Sequence, residues 1–146
     1  MNWTKVAIGS DHAGYELKEI LKRYIENKGI KVEDFGTNST ESVDYADYAH
    51  PLAASVESGE NQLGFTICGS GNGINMTANK HQGIRGALCW IPEISRLARA
   101  HNDANICSLP GRFVTVEQAK EIVDLFLETP FDGGRHIRRI QKISCR

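Results

Sequence analysis

Three groups of side chains carry the chemistry open to this sequence. Cys68 stands directly before Gly69-Ser70-Gly71-Asn72-Gly73, a five-residue run with three glycines. Between a strand and a helix, such a loop lets backbone N–H groups converge on one point at the positive end of the helix dipole, and it reads as an anion hole. Adjoining amides favour a thiolate, which would make Cys68 a nucleophile or a general base. Ser10-Asp11-His12 and His101-Asn102-Asp103 add carboxylates and imidazoles. With His101 or His12 as partner, Cys68 also fits the residue types of a thiol hydrolase, and both histidines fit a purely hydrogen-bonding role equally well. Arg135 and Arg139 are four apart, on one helix face, and with Arg112 could close into a forked clamp for a phosphate dianion.

Other chemistries find less support. Gly-Ser-Gly-Asn-Gly lacks the G-x-G-x-x-G spacing, and no G-x-x-x-x-G-K-[ST] occurs, so NAD and ATP are not expected. Asp11, His12, His101 and the cysteines show no recognised ligand spacing, so no metal is expected. Cys89 and Cys107 read as small buried hydrophobes, and His50 and His81 as surface residues without company.

The elements that must position these residues follow from periodicity. Strands are expected over residues 5–9, 30–36, 63–68, 85–90 and 105–109, each a short apolar run. Leu17, Ile20, Leu21, Tyr24 and Ile25 recur at helical spacing, as do Ala119, Ile122, Val123, Phe126 and Leu127 behind the capping box of Thr115 and Gln118. Further helices are expected over 45–58, despite Pro51, over 74–81, and from Pro92 to 101. Ile137, Ile140 and Ile143 suggest a last, basic helix that packs on something. Strands alternating with helices imply an α/β domain over residues 1–146: a three-layer, Rossmann-like, doubly wound fold with a five-stranded parallel sheet. Ligands in such sheets bind beyond the carboxyl ends of the strands. By that rule the strand-end residues, with His101-Asn102-Asp103 counted among them, form one site.

Composition bounds the partners. The 146 residues carry 17 Lys plus Arg against 18 Asp plus Glu, a net charge of −1. All five basic side chains of residues 135–146 lie in a stretch without an acid, which leaves −6 on the preceding 134 residues. An acidic body and a tail with no aromatic to stack a base argue against nucleic acid. No apolar run is long enough to span a bilayer, no signal-peptide pattern opens the chain, and four widely spaced cysteines suit a reduced cytoplasmic setting. A small phosphorylated substrate fits this charge pattern better than a polyanion or a membrane does.

Taken in order, Gly9-Ser10-Asp11-His12-Ala13-Gly14, Asp44-Tyr45, Ile67-Cys68-Gly69-Ser70-Gly71-Asn72-Gly73-Ile74, Ala78-Asn79-Lys80, Gly83-Ile84-Arg85, His101-Asn102-Asp103-Ala104-Asn105 and Gly133-Gly134-Arg135-His136 resemble the ribose-5-phosphate isomerase B family and its relatives, the galactose-6-phosphate isomerase subunits. The resemblance covers essentially the whole chain. It implies aldose–ketose isomerisation of ribose 5-phosphate and ribulose 5-phosphate through an enediolate, without metal or cofactor, in the pentose phosphate pathway. It further implies Cys68 as the base between C1 and C2, Asp11 with His101 as ring-opening groups, and Ser70 on the reacting oxygens. The amides of Gly69, Gly71, Asn72 and Gly73 would form the oxyanion hole. His12, Arg112, Arg135 and Arg139 would hold the phosphate, and Tyr45 and Asn102 would line the sugar. Some members carry a Glu base directly after the loop; here that residue is Ile74, which favours the cysteine. A six-carbon aldose 6-phosphate as substrate, or a sugar-phosphate sensor without turnover, remain alternatives. The family implies a homodimer or a homotetramer, with sites built across the subunit interface.

Overall fold

Every predicted strand and helix forms, and together they close into three layers. The computed structural model describes residues 2–145. The strands are β1 (Lys5–Ser10), β2 (Lys31–Asp34), β3 (Leu63–Cys68), β4 (Gly86–Leu88) and β5 (Ile106–Pro110). The helices are α1 (Tyr15–Glu26), α2 (Tyr45–Glu57), α3 (Asn72–Ala78), α4 (Pro92–Asn102), α5 (Val116–Glu128) and α6 (Arg135–Gln141). All four strand pairings are parallel, in the order β2-β1-β3-β5-β4. The chain winds one way from β1 to β2 and the other way from β3, so the carboxyl ends of β1 and β3 flank the switch point where such sheets bind ligands.

The strand residues alternate between two helix layers. Val6, Ile8, Phe65, Ile67, Cys107 and Leu109 pack with Leu21, Ile25, Ile122 and Phe126 of α1 and α5, whereas Ala7 and Ile106 meet Leu52, Ala53 and Val56 of α2. Cys68 falls on the second face, with Ala49 and Ile74. The Thr115–Gln118 capping box forms in both directions, at 2.9 and 3.1 Å. Pro51 lies inside α2, exposed on its outer side, where water can serve the carbonyl its ring leaves without a donor. Burial of Ala49, Leu52, Ala53 and Val56 carries the helix through, against the roughly 3 kcal/mol such a proline costs.

Two expectations change. β4 is three residues long, not six, because it is an edge strand with one neighbour. On its open side the Asn79 side chain takes the place of a second, accepting from the Gly86 amide at 2.8 Å and donating to the Gly86 carbonyl at 3.0 Å. His50 and His81, read as solitary, are partners: Nδ1 of His50 lies 2.9 Å from Nε2 of His81, and the other face of His81 looks onto Glu57 at 3.6 Å.

Lys18, a residue type that reads as surface, is fully buried in α1. Its ammonium meets Asp34 at 2.6 Å and Glu19 at 2.8 Å. Burial opposes ionisation of Asp34, but Lys18, the Gly36 amide and Lys22 outweigh it and hold the carboxyl below its usual range. A depressed native value stabilises the fold fully above the unfolded carboxyl pKa of about 3.9, and the gain is lost as pH falls through the native value. Asp34→Asn is expected to cost about 2 kcal/mol at pH 7, by leaving the buried Lys18 with Glu19 as its only carboxylate, and clearly less near pH 2. Chemical denaturation at the two pH values reads this; equal losses at both would remove ionisation from the account.

Candidate active site

β1 and β3 deliver the first groups. After β1 the Asp11 amide donates to the Ile67 carbonyl at 3.2 Å, which seats the turn His12–Gly14 on the end of β3. Gly14 is obligatory in that seat, since a Cβ there would stand 2.5 Å from the Ile67 carbonyl oxygen. The Asp11 carboxylate, buried, caps the turn by accepting from the amides of Ala13 and Gly14 at 3.0 and 3.2 Å. Nδ1 of His12 accepts from the Val43 amide at 3.1 Å, so a neutral ring carries its proton on Nε2, a donor with no partner among the described residues.

Cys68 ends β3 only 4% exposed. The glycine loop then turns into α3 through Gly71, whose φ of +78° and whose approach to Leu88 and the Leu109 backbone admit no side chain. Ser70 is exposed at the tip, and its Oγ accepts from the Asn72 amide at 3.2 Å. Beneath the loop, Thr66, Ser108 and Asn75 join in a buried chain of contacts of 2.6 and 3.0 Å that ties α3 to β3 and β5.

β5 and α2 complete this end. The Gly111 amide donates to the Cys68 carbonyl at 2.8 Å and the Arg112 amide to that of Gly69 at 3.0 Å, which lays the Arg112 guanidinium across Gly69. Tyr45 opens α2 and sets its ring against Gly73, where a Cβ would lie 2.4 Å from the ring. Gly73→Ala therefore displaces Tyr45 from the loop. For the sugar phosphate that the resemblance implies, the expected result is a KM raised about tenfold with the fold intact, read by steady-state kinetics beside a thermal melt; an unchanged KM would take Tyr45 out of the site.

His101, Asn102, Arg135 and Arg139 are elsewhere, and grouping them with the strand ends is corrected. α4 runs back against the strands, so its last turn sits at the amino edge of the sheet: the Asn102 and Asp103 carbonyls accept from the Arg85 side chain just ahead of β4. The five residues of β5 separate that edge from Arg112 by about 16 Å. Within one chain, Cys68 and His101 cannot form a dyad, nor can Arg112 close a clamp with Arg135 and Arg139. A cleft of about 390 Å3 also opens at the amino edge, among Asn79, Arg85, Asn102 and Ile143, away from Cys68.

The amino-edge group is organised nonetheless. α6 packs on α4, the His101 and His136 rings stack with centroids 4.4 Å apart and planes 13° apart, and Asp132 lies 4.0 Å from Nε2 of His101. These three residues bring metal-ligating atoms within 4.8 Å of one another. Two nearly parallel imidazole planes cannot both contain one ion, so the stacked arrangement is not a metal cradle. Arg112, Arg135 and Arg139 are exposed, and none pairs with a carboxylate among the described residues. Cys89 and Cys107 are fully buried, and burial pushes the Cys107 thiol up, as expected for inert packing residues.

Known proteins share both the sequence and this architecture. A structure of ribose 5-phosphate isomerase from Thermotoga maritima superposes with a TM-score of 0.95 at 57% identity, over 97% of each chain. Ribose-5-phosphate isomerase B from Mycoplasma genitalium, solved with bound ribulose-5-phosphate, superposes with a TM-score of 0.92 at 42% identity, over 96% of this chain and 93% of that one. Ribose-5-phosphate isomerase B of Escherichia coli K12 is 42% identical over 141 residues, 97% of this chain and 95% of its own. The sequence model of the family described as Ribose/Galactose Isomerase matches residues 6–143. With sheet order, strand-end cysteine and glycine loop all in place, the chain belongs to the ribose/galactose isomerase family.

Proposed function

We propose that the protein interconverts ribose 5-phosphate and ribulose 5-phosphate, at a site that one chain begins and a second copy completes. The carrying observation is the carboxyl edge itself. Cys68 shares that edge with a glycine loop, with His12 and with the Arg112 guanidinium, while the position after the loop holds the buried Ile74 and no carboxylate.

In the aldose direction, Asp11 and His101 move the protons that open the furanose: one leaves the C1 hydroxyl and one reaches the ring oxygen as the C1–O bond breaks. The Cys68 thiolate then takes the C2 hydrogen as a proton. The C2–H pair becomes the C1–C2 double bond, and the carbonyl pair moves onto the C1 oxygen. Loop amides and Ser70 meet that oxyanion, the term that commonly dominates such reactions. Proton delivery from Cys68 to C1, with the C2 hydroxyl proton passing to the C1 oxygen, leaves the ketose. His12 and Arg112 hold the phosphate, with Arg135 and Arg139 of the second copy, and Tyr45 and Asn102 line the sugar.

A homodimer is supported by where the groups lie. Two-fold pairing brings the amino edge of each chain to the carboxyl edge of its mate, twice by symmetry. Met76, Trp90, Ile91, Ile137 and Ile143 are 40–64% exposed and supply apolar area for such a contact. Among the described residues no helix is long and apolar enough to cross a membrane, and the four cysteines are free. The cytoplasm and the pentose phosphate pathway are assigned on the proposed reaction alone. The test is turnover of ribose 5-phosphate, allose 6-phosphate and galactose 6-phosphate by the purified protein. A kcat/KM for the pentose at least about tenfold above either hexose is expected. Hexose preference would overturn the chain length, and saturable binding without product would overturn the enzyme.

A further inference from the structure

Within its own chain α6 buries a histidine. Of its seven residues only His136 is buried, while Ile137 in the same helix and Ile143 just beyond it stay about half exposed. Those isoleucines are the apolar area offered above to a second copy, so contact with α4 of the same chain falls to the imidazole. No partner within the described residues hydrogen-bonds the His136 ring nitrogens; what the ring offers is its face, laid flat on His101.

We propose that His136 is a positioning residue for His101, fixing the plane of that imidazole so that its free edge serves the ring-opening step. The inference rests on the isomerase reading above, in which His101 is a ring-opening group. His101 is half-buried on the last turn of α4, where a lone side chain would swing among rotamers. Three contacts define its setting. The His136 ring covers one face at 4.4 Å. The Asp132 carboxylate stands 4.0 Å from Nε2. The Asp132 amide donates to the Ala100 carbonyl at 2.9 Å, which pins the segment leading into α6 onto the turn that carries His101. Desolvation, the neighbouring His101, and the guanidiniums of Arg135 and Arg139 hold the His136 imidazole below its ordinary pKa against the opposing pull of Asp132. At neutral pH it therefore stacks as an uncharged plate and adds no charge to His101.

The partial reactions separate this role from folding and from binding. Ribulose 5-phosphate has no furanose form, because the hydroxyl that would close the ring carries the phosphate. Exchange of its C1 hydrogen with D2O needs Cys68 and the glycine loop but no ring opening. His136→Ala and His136→Phe, measured beside the parent by this exchange and by conversion of ribose 5-phosphate, give the test. In His136→Ala, conversion is expected to fall roughly tenfold with C1 exchange within about twofold of the parent. His136→Phe, which keeps a flat ring, is expected to restore conversion to within about threefold. Parent-like conversion in His136→Ala, equal loss of exchange and conversion, or no restoration by Phe in a protein that melts like the parent would each overturn the proposal. A parent that exchanges no C1 hydrogen and converts no ribose 5-phosphate overturns the isomerase reading itself, and this inference with it.

Discussion

Cys68→Ala is expected to lower kcat on ribose 5-phosphate by about 10³, within the span typical of a removed general base, and to move KM no more than severalfold. Several observations make this a test of chemistry and not of folding. The Cys68 side chain is small, and its neighbours Ala49 and Ile74 are apolar, so the substitution leaves only a minor void. His12 and Arg112, proposed above to hold the phosphate, lie on other segments, after β1 and β5, and keep their supports at Val43 and Gly69. Exchange of the C1 hydrogen of ribulose 5-phosphate should fall in step with turnover, because both directions pass through the same proton transfer. Full turnover in this variant would remove Cys68 as the base and return attention to Asp11, the other acidic group buried at that edge.

Mixing two inactive variants is expected to create activity. Cys68→Ala and His101→Ala each fail alone, since every site in either homodimer lacks one group. In a mixed dimer one site draws Cys68 from the His101→Ala chain and His101 from the Cys68→Ala chain, and so is whole, while the other lacks both. Random re-pairing after mild dissociation makes half the dimers mixed, so about a quarter of parental activity should appear. The recovered rate should track subunit exchange, which native mass spectrometry of size-tagged chains can follow. Exchange without recovered activity would place Cys68 and His101 in separate sites. The roughly 16 Å that separates the two edges of a single chain makes this outcome the sharpest available measure of the proposed shared site.

Much of the fold was legible because its signals are local. Short apolar runs and stripes such as Leu17, Leu21 and Ile25 have periods that only one element type satisfies, and Thr115 with Gln118 marks a helix start by its own hydrogen bonds. The order of β4 and β5 was not legible, since either order buries the same side chains. Lys18 reads as solvated because its partner Asp34 is sixteen residues away, and His50 and His81 are thirty-one apart. That Asp11, the glycine loop and Arg112 lie together at the carboxyl edge was legible, because each group directly follows a strand. The misplacement of His101 has a different cause. A helix that follows a parallel strand must return to the amino edge, so the last turn of α4 was bound to lie far from Cys68. Grouping by residue type had overridden direction. His136 carried no signal of its own, since histidine in an arginine-rich helix is unremarkable until its burial is seen.

Asn79 has a consequence for how copies of this protein can meet. An open strand edge is a template on which further strands can add without limit, and β4 would offer one. With both polar groups of Gly86 already engaged by a side chain, that template is closed. The opposite edge, β2, is four residues long and carries Lys31, Glu33 and Asp34, charges that resist an incoming strand. Both edges of the sheet therefore resist sideways growth, which favours association through the helices and the strand-end loops. Copies that join there meet at the same surfaces that hold Cys68 and His101, so aggregation and catalysis draw on separate parts of the molecule.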